Sequence, residues 1–413
     1  MSRTNIITGL DVGSNKIRVV VGQYGGEQNA LQIIGATESE SHGIINGNIV
    51  SIEDVVSSIS IALEKIEKII GLPINKAGVG ISGSKIKSII SQGVVAVAKA
   101  DGEIKDEDIT RVIEAAEAVS TPPNYEILHT APRNYKVDNQ EDIKDPIGMN
   151  GVRLEVNVQI IMVLSSQIKT ITKCIYRTGV EVKDLVFSIL ADAESVLNKE
   201  QKELGCVLVN IGASTTDVAI YEEGDLMHAA VLPIGSSHIT NDLAIGLRTS
   251  IKVAEQVKIE YATCLPEMIR KREEINLNTI DPTEDRKVLV SKLEIAKITQ
   301  ARVEEIFELV AEELKAVDRF GMLPAGVILT GGGSKLNGLV EHVKNQLELP
   351  VFLAKPIKIN SIVDKVYDLS YSNALGLVLW QYHKQGKWPG RKSDQGIFST
   401  IIDWIKSLIP SRH

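Results

Sequence analysis

The sequence predicts an α/β protein of two related lobes, with a small α+β domain inserted in the first lobe and an amphipathic helix at the C-terminal end. Three observations predict it. Two glycine-rich turns, Asp11-Val12-Gly13-Ser14-Asn15-Lys16 and Asn210-Ile211-Gly212-Ala213-Ser214-Thr215-Thr216-Asp217, each sit between two β-rich apolar runs. Strand patterns alternate with helix patterns in both halves of the chain. From Lys85 to about Val163 the texture changes to short strands, one helix and four prolines, Pro122, Pro123, Pro132 and Pro146, as expected of an inserted domain.

Taken in order, residues 6–22 and 31–37 read as strands. Residues 52–70 carry Ile52, Val55, Val56, Ile59, Leu63, Ile66, Ile69 and Ile70 at helical spacing, stopped by Gly71-Leu72-Pro73. Ala77–Ile81 reads as a buried strand before Ser82-Gly83-Ser84. Inside the insert, strands at Val94–Ala98 and Val152–Ile161 flank a helix near Asp106–Val119. A helix over Ser166–Thr178, a strand over Val180–Ile189 and a short helix over Ala193–Leu197 lead to the second turn. Residues 236–320 are mainly helical and charged. Ala325–Thr330 is a strand ending in Gly331-Gly332-Gly333-Ser334, and residues 385–396 form a polar linker. The expected division is a first-lobe core at 1–84 with 163–192 and 358–384, the insert at 85–162, and a second-lobe core at 193–230 with 320–357. An outer subdomain at 231–319, the linker, and a terminal element at 397–413 complete it.

The 413 residues include 44% hydrophobic and 24% charged side chains, as in ordinary globular proteins. A net charge of -8 argues against general nucleic-acid binding. Three cysteines at wide spacing, Cys174, Cys206 and Cys264, argue against a disulfide framework or a zinc site and for a reducing compartment. The apolar run after Arg3 is too short for a signal peptide, and no stretch of about 20 apolar residues is available to span a membrane.

The two turns carry the chemistry. A hairpin turn of small residues exposes backbone N–H groups, and such nests bind phosphate. Either turn alone is also an ordinary turn; two in two lobes could grip one triphosphate from both sides. Two further elements strengthen the reading. Gly331-Gly332-Gly333 would let a flat ring approach the backbone. Glu255 and Lys258, three apart on a predicted helix, share a face that could hold ribose hydroxyls and a base edge, or could be a solvated pair.

The order phosphate turn, phosphate turn, Glu-x-x-Lys, Gly-Gly-Gly resembles the actin, Hsp70 and sugar-kinase superfamily. The resemblance narrows to the FtsA family of bacterial cell-division proteins over nearly the whole chain. It is carried by Gly80-Ile81-Ser82-Gly83-Ser84, Ile127-Leu128-His129, Asp145 to Glu155, Lys202-Glu203-Leu204-Gly205, Pro233-Ile234-Gly235, Ile239-Thr240-Asn241-Asp242 and Gly246-Leu247-Arg248-Thr249. It implies an actin-like two-lobed ATPase fold whose insert separates FtsA-like chains from actin, MreB and Hsp70. It also implies ATP with Mg2+ as cofactors. Asp11 would sit near the magnesium, through water. Gly13, Ser14, Asn15 and Lys16 would wrap the β- and γ-phosphates, and Gly212, Ala213, Ser214 and Thr215 would clasp them from the other lobe. Glu255 and Lys258 would hold ribose and base, with Gly331, Gly332, Gly333 and Ser334 beneath the adenine. Relatives commonly carry Asp-Ile-Gly-Gly-Gly-Thr at the second turn, where this chain has Asn210-Ile211-Gly212-Ala213-Ser214-Thr215. The place of the water-orienting Glu or Gln falls in Leu190-Ala191-Asp192-Ala193, with Leu190 as the expected equivalent. Asp11, Asn210 and Asp217 remain the candidates for chemistry, and the expectation is ATP binding with slow or absent turnover.

In the tail, Ile397, Phe398, Ile401, Ile402, Trp404, Ile405, Leu408 and Ile409 fall within an arc of roughly 160° on a helix, opposite Ser399, Thr400, Asp403, Lys406 and Ser407. At roughly 20 Å such a helix is too short to span. It suits an in-plane membrane anchor after a basic linker, or a terminal helix docked on the protein's own core. The family resemblance implies the membrane, at its cytoplasmic face and at the division site. It also implies self-assembly into a polymer, contact with other division membrane proteins, and capture of the C-terminal peptide of the tubulin-like FtsZ by the outer subdomain. Arg286, Lys297 and Arg302 are the candidate contacts for that peptide. The competing readings are an adaptor of a pilus or secretion system with the same fold, and a small-molecule kinase or ATPase.

Overall fold

The computed structural model describes residues 5–25, 30–98, 102–118, 121–270, 272–280 and 288–384. The first turn joins β1 (Asn5–Val12) to β2 (Lys16–Tyr24), and β3 (Gln32–Glu40) pairs antiparallel with β2. A small hairpin, β4 (Ile44–Ile45) and β5 (Asn48–Ile49), leads to α1 (Ile52–Ile70). Helix α1 begins where the Ser51 hydroxyl accepts the Asp54 N–H and ends where Gly71 turns left-handed at φ 70°. Its buried stripe, Val55, Ile59, Leu63 and Ile66, covers one face of the sheet, and β6 (Lys76–Ile81) follows parallel to β1.

The insert then forms β7 (Lys87–Ala96), α2 (Asp106–Glu117), β8 (Tyr125–Val137), β9 (Gln140–Ile143) and β10 (Arg153–Leu164), with sheet order β7-β10-β8-β9 and its own apolar cluster. Strand β8 is absent from the sequence reading because Pro132 lies inside it. The proline is accommodated where the register with β10 slips between Asn157 and Val158.

The chain returns through α3 (Ser165–Arg177), β11 (Glu181–Phe187) and α4 (Ser188–Val196). Two boundaries differ from expectation here: the strand stops at Phe187 and helix α4 starts at Ser188, earlier than the predicted Ala193. An unbroken apolar run of this kind has no periodicity to separate a buried strand from a buried helix. Every residue of α4 is buried.

The second lobe opens with α5 (Lys199–Leu204), absent from the sequence reading, then β12 (Cys206–Ile211), β13 (Thr216–Glu222) and β14 (Asp225–Leu232). Its outer part comprises α6 (Ser236–Leu247), α7 (Ile251–Tyr261), the pair β15 (Glu274–Asn276) and β16 (Leu289–Ser291), and α8 (Lys292–Ala316). The lobe closes with β17 (Gly326–Thr330), α9 (Leu339–Leu347) and β18 (Val351–Leu353). Strand β19 (Asn360–Ser361) then crosses back to pair with β3, and α10 (Ser372–Lys384) follows.

The two sheets are built alike. The first runs β3-β2-β1-β6-β11, extended by β19, and the second runs β14-β13-β12-β17-β18. In both, the first two pairings are antiparallel and the last two parallel. This confirms the two related lobes.

Helices α4 and α10 cross between the sheets with no clearance. A Cβ on Gly376 would stand 1.8 Å from the Ala191 carbonyl oxygen, and one on Gly9 of β1 would stand 2.2 Å from the Ala374 carbonyl oxygen. Polar ties hold the crossing: Ser195 Oγ donates to the Ser372 carbonyl (2.8 Å) and Asn373 Nδ2 to the Ser188 carbonyl (2.8 Å). His129 of β8 ties the insert to the same place. Its Nε2 accepts the Phe187 N–H at 2.9 Å, and its ring stands edge-on to Trp380 at 5.5 Å.

Two outcomes are expected. Gly376→Ala should lower stability by at least about 2 kcal/mol in urea denaturation, since neither helix backbone can give way. Burial pushes the His129 imidazole down to about 3 from its ordinary 6.5. The folded state therefore binds fewer protons than the unfolded state between those values, and this contribution to stability is lost as pH falls from about 6.5 towards 3. Urea midpoints measured across that range should fall with pH, and fall less steeply in His129→Leu.

Candidate functional site

Both glycine turns have one architecture. The Gly13 N–H bonds the Lys16 carbonyl (3.2 Å) and the Gly212 N–H bonds the Thr215 carbonyl (2.9 Å). Glycine is required because a Cβ at Gly13 or Gly212 would lie 2.8 or 2.9 Å from the same carbonyl oxygen. Below the turns the registers match: Asp11 faces Arg18 as Asn210 faces Asp217. Asp11 and Asn210 thus occupy the same position in two copies of one hairpin.

The turns face each other across a cleft of about 690 Å³ lined by both lobes, a volume in the range of small-molecule sites. Ser214 Oγ donates to Ser14 Oγ at 2.6 Å, hydroxyl to hydroxyl across the lobes. Ser82, after β6, donates to Asp217 Oδ1 at 2.8 Å and makes a second bridge. The cleft wall includes Asp11 to Lys16, Asn210, Gly212 to Thr215, Asp217, Glu255, Lys258 and Gly331 to Gly333. The sequence-predicted nucleotide residues on this wall, scattered over more than 300 positions, are therefore brought together. Ser334 is buried behind it, its hydroxyl bonded to the Gly331 carbonyl at 2.7 Å.

Glu255 and Lys258 meet on helix α7, where Lys258 Nζ donates to Glu255 Oε2 at 2.7 Å. Lys258 is buried, and its ammonium also reaches Thr240 Oγ1 (2.9 Å) and the Ser236 carbonyl (3.2 Å). This is a built corner rather than a solvated pair. The three glycines divide their work. Gly331 takes φ +85°, and a Cβ there would meet Asn210 Oδ1 at 2.1 Å; a Cβ on Gly333 would meet Ile211 Cγ2 at 2.4 Å. Those two are glycines for packing. Gly332 has nothing within 4 Å of a Cβ and faces open space.

Helix α4 contributes a carboxylate that the sequence reading did not single out. Leu190 is buried in the apolar core, whereas Asp192 takes the polar position. Asp192 is fully buried; its Oδ2 accepts Asn210 Nδ2 at 2.6 Å and its Oδ1 accepts Ser372 Oγ at 2.6 Å. The signal that could have found it was an acid inside the apolar stretch Ile189 to Ala193. Desolvation pushes three carboxyls up: Asp11 to about 6, Asp192 to about 7 and Asp217 to about 7; the charge of Asp11 raises Asp192 further, and those of Asp192 and Asp11 raise Asp217 further. Among the described residues no three His, Cys, Asp or Glu side chains group closely enough to hold a metal ion by themselves.

Of the partner candidates, Lys297 is exposed on α8. Arg302 holds Asp242 with two bonds, Nε–Oδ2 at 2.6 Å and Nη2–Oδ1 at 2.9 Å, and also pairs with Glu305. Arg286 lies outside the described residues. So do Ile397, Phe398, Ile401, Ile402, Trp404, Ile405, Leu408 and Ile409. No described helix is long and apolar enough to cross a membrane.

Residues 207–376 match the family described as Cell division protein FtsA, and residues 83–162 match the SHS2 domain inserted in FTSA. The Cell division protein FtsA of Pseudomonas aeruginosa is 38% identical over 92% of this chain and 90% of its own length. The chain belongs to the FtsA family. FtsA of Borreliella burgdorferi is 36% identical over 93% of the chain and 92% of its own, and that of Bacillus subtilis 35% over 92% and 84%. Solved structures place the fold among actin-like proteins. The PilM-PilN type IV pilus biogenesis complex aligns with TM-score 0.66 at 15% identity, over 93% of this chain and 99% of that one. MreB5 of Spiroplasma citri bound to ADP aligns at 0.54 and 13%, over 93% and 97%. The FtsA-type insert is thus a family feature, seated on a two-lobed actin-like core.

The glycine division of labour is testable by thermal melting. Gly332→Ala should stay within about 0.5 kcal/mol of the parent, while Gly331→Ala should lose more than about 1 kcal/mol through strain at positive φ and the Asn210 contact.

Proposed function

We propose that this FtsA-family chain is an ATP-binding, actin-like membrane adaptor that polymerises, tethers the FtsZ ring to the cytoplasmic membrane and recruits other division proteins. The observation that carries the nucleotide part is the pair of turns of one architecture opposed across the cleft, Ser14 to Ser214, with the Glu255–Lys258 corner and the open Gly332 on the same wall. The donor set fits ATP with Mg2+. Backbone N–H groups of two nests suit phosphate oxygens. Three desolvated carboxyls, Asp11, Asp192 and Asp217, favour a nearby cation, of the kind that Mg2+ held through water and phosphate would supply. The ion would supply charge neutralisation at the phosphates. Asp11 and Asp217 would orient its waters, the turns would hold the phosphates, and Lys258 with Glu255 would hold the ribose and base. MreB5, of the same fold, is described as bound to ADP, which supports this reading.

With Leu190 in the core, no acid or amide on α4 opens onto the cleft to orient an attacking water. Slow turnover follows, and the kinase alternative loses support. The family relation weighs against the pilus-adaptor alternative, since the likeness to the pilus protein is one of fold.

The membrane part rests on the sequence pattern at 397–409, and the FtsZ part on the family relation with Lys297 and Arg302 on α8. An acidic peptide would compete with Asp242 for the Arg302 guanidinium. A short anchor binds weakly alone and tightly in a row, so polymerisation and membrane attachment would reinforce each other.

Liposome co-sedimentation with ATP tests the adaptor reading. The full chain should pellet with vesicles and carry purified FtsZ with it, and a chain ending at Gly390 should remain in the supernatant. Equal behaviour of the two chains would sink the membrane role of the tail.

A further inference from the structure

The duplicated hairpin raises a question about one atom group. Asp11 of the first turn is a carboxylate, while its counterpart in the second turn, Asn210, is an amide. The missing acid is close by: the Asp192 carboxylate lies directly behind the Asn210 side chain, at 2.6 Å from its Nδ2. We propose that Asp192 and Asn210 together do the work of a single acid in the second turn, with the charge moved out of the turn onto helix α4 and Asn210 relaying it. Asp192 is a positioning residue in this arrangement. It rests on the nucleotide reading above.

The geometry supports the pairing in three ways. An amide nitrogen facing a carboxylate oxygen is the complementary arrangement, and two carboxylates at that distance would repel in a dry site. Asp192 is wholly buried, so its partners are fixed: Asn210 on one oxygen and Ser372 on the other, with Thr330 Oγ1 donating to Ser372 Oγ at 3.1 Å. The donation by Nδ2 also fixes which way Asn210 points, with Oδ1 against Gly331 at the start of the glycine loop. One side chain on α4 therefore sets the second phosphate turn, the glycine loop and the N-terminal end of α10 against each other. Its charge is also felt by Asp217, across from Asn210 in the hairpin.

The test separates charge from structure. In Asp192→Asn the amide oxygen keeps the Asn210 contact and its NH2 donates to Ser372 Oγ once that hydroxyl turns to donate to Thr330 Oγ1, so the charge is removed while the shape is kept. Calorimetric titration with ATP, in excess Mg2+ and in excess EDTA, reads the metal-dependent part of binding; thermal melting of the free protein reads the fold. Asp192→Asn should lose about tenfold or more of the Mg2+-dependent gain in ATP affinity, the size typical of groups behind a metal site, with binding in EDTA unchanged or tighter. The exchanged variant Asp192→Asn/Asn210→Asp, which puts the acid back in the turn, should recover that gain. Asn210→Asp alone should melt earliest of the set. An unchanged Mg2+ gain in Asp192→Asn would overturn the proposal, as would a folded exchanged variant that recovers none. If wild-type protein binds no ATP under either condition, the nucleotide reading itself fails; a wild type that binds with a Mg2+ gain confines any failure to Asp192.

Discussion

The structure depends on the contact of Gly376 with the Ala191 carbonyl, where α10 and α4 cross with no room for a single methyl group. Helix α10 packs on the first lobe and reaches the second through the Ser372–Thr330 hydrogen bond, while α4 packs against both, its Ile189, Leu190, Ala193 and Val196 sharing one apolar cluster with Cys206, Leu208 and Ala219. Helix α10 lies on β1 and β6 through Gly9, Gly78 and Gly80, all too close to it for a side chain. Helix α4 leads directly into the second lobe. The crossing lies behind both phosphate turns, so the distance between the turns is set by a packed joint and not by the turns themselves. Close-packed interiors transmit displacement instead of absorbing it. A change of spacing at the Ser14–Ser214 contact must therefore be felt at α4 and α10.

The insert shares this joint. Leu128, Ile161 and Val163 of the insert belong to the same apolar cluster as Phe187 and Ile189 of the first lobe and as Leu226 and Ala229 of the second. His129 fixes the backbone where β11 becomes α4. On the far side, Lys144 reaches Asp225 (2.6 Å) and Glu223 (3.4 Å) of the second lobe. The insert is thus braced against both lobes.

The division of charge in the cleft follows from burial. Asp192 and Asp217 are buried and Asp11 is half-buried on the cleft wall, while Lys258 and Glu255 of α7 neutralise each other at the other end. The anionic end favours a cation, the nests favour phosphate, and the neutralised end suits an uncharged base. The proposed nucleotide with its metal would satisfy all three at once.

Much of this was legible in the sequence. Helix α1 was readable to the residue, because Ser51, the apolar stripe and Gly71 are local signals that agree. Both turns and the Glu255–Lys258 pair were legible because small residues and a three-residue spacing carry their geometry with them. What was hidden depended on distant neighbours. Strand β8 was masked by Pro132, whose cost is removed by a register slip against β10. The start of α4 was masked by an apolar run that suits strand or helix alike. Whether Leu190 or Asp192 faces the phosphate turn depends on the rotation of a helix buried on every side, which no periodicity records. The sequence by itself determined the local vocabulary: two hairpins of one pattern, their strands and helices, and the residue types at their tips. Only the tertiary structure decided that the tips meet, that Gly331 and Gly333 serve packing while Gly332 stays open, and that Asn210 has its acid behind it. Those are facts of close approach between segments far apart in the chain, and close approach is settled by packing of the whole.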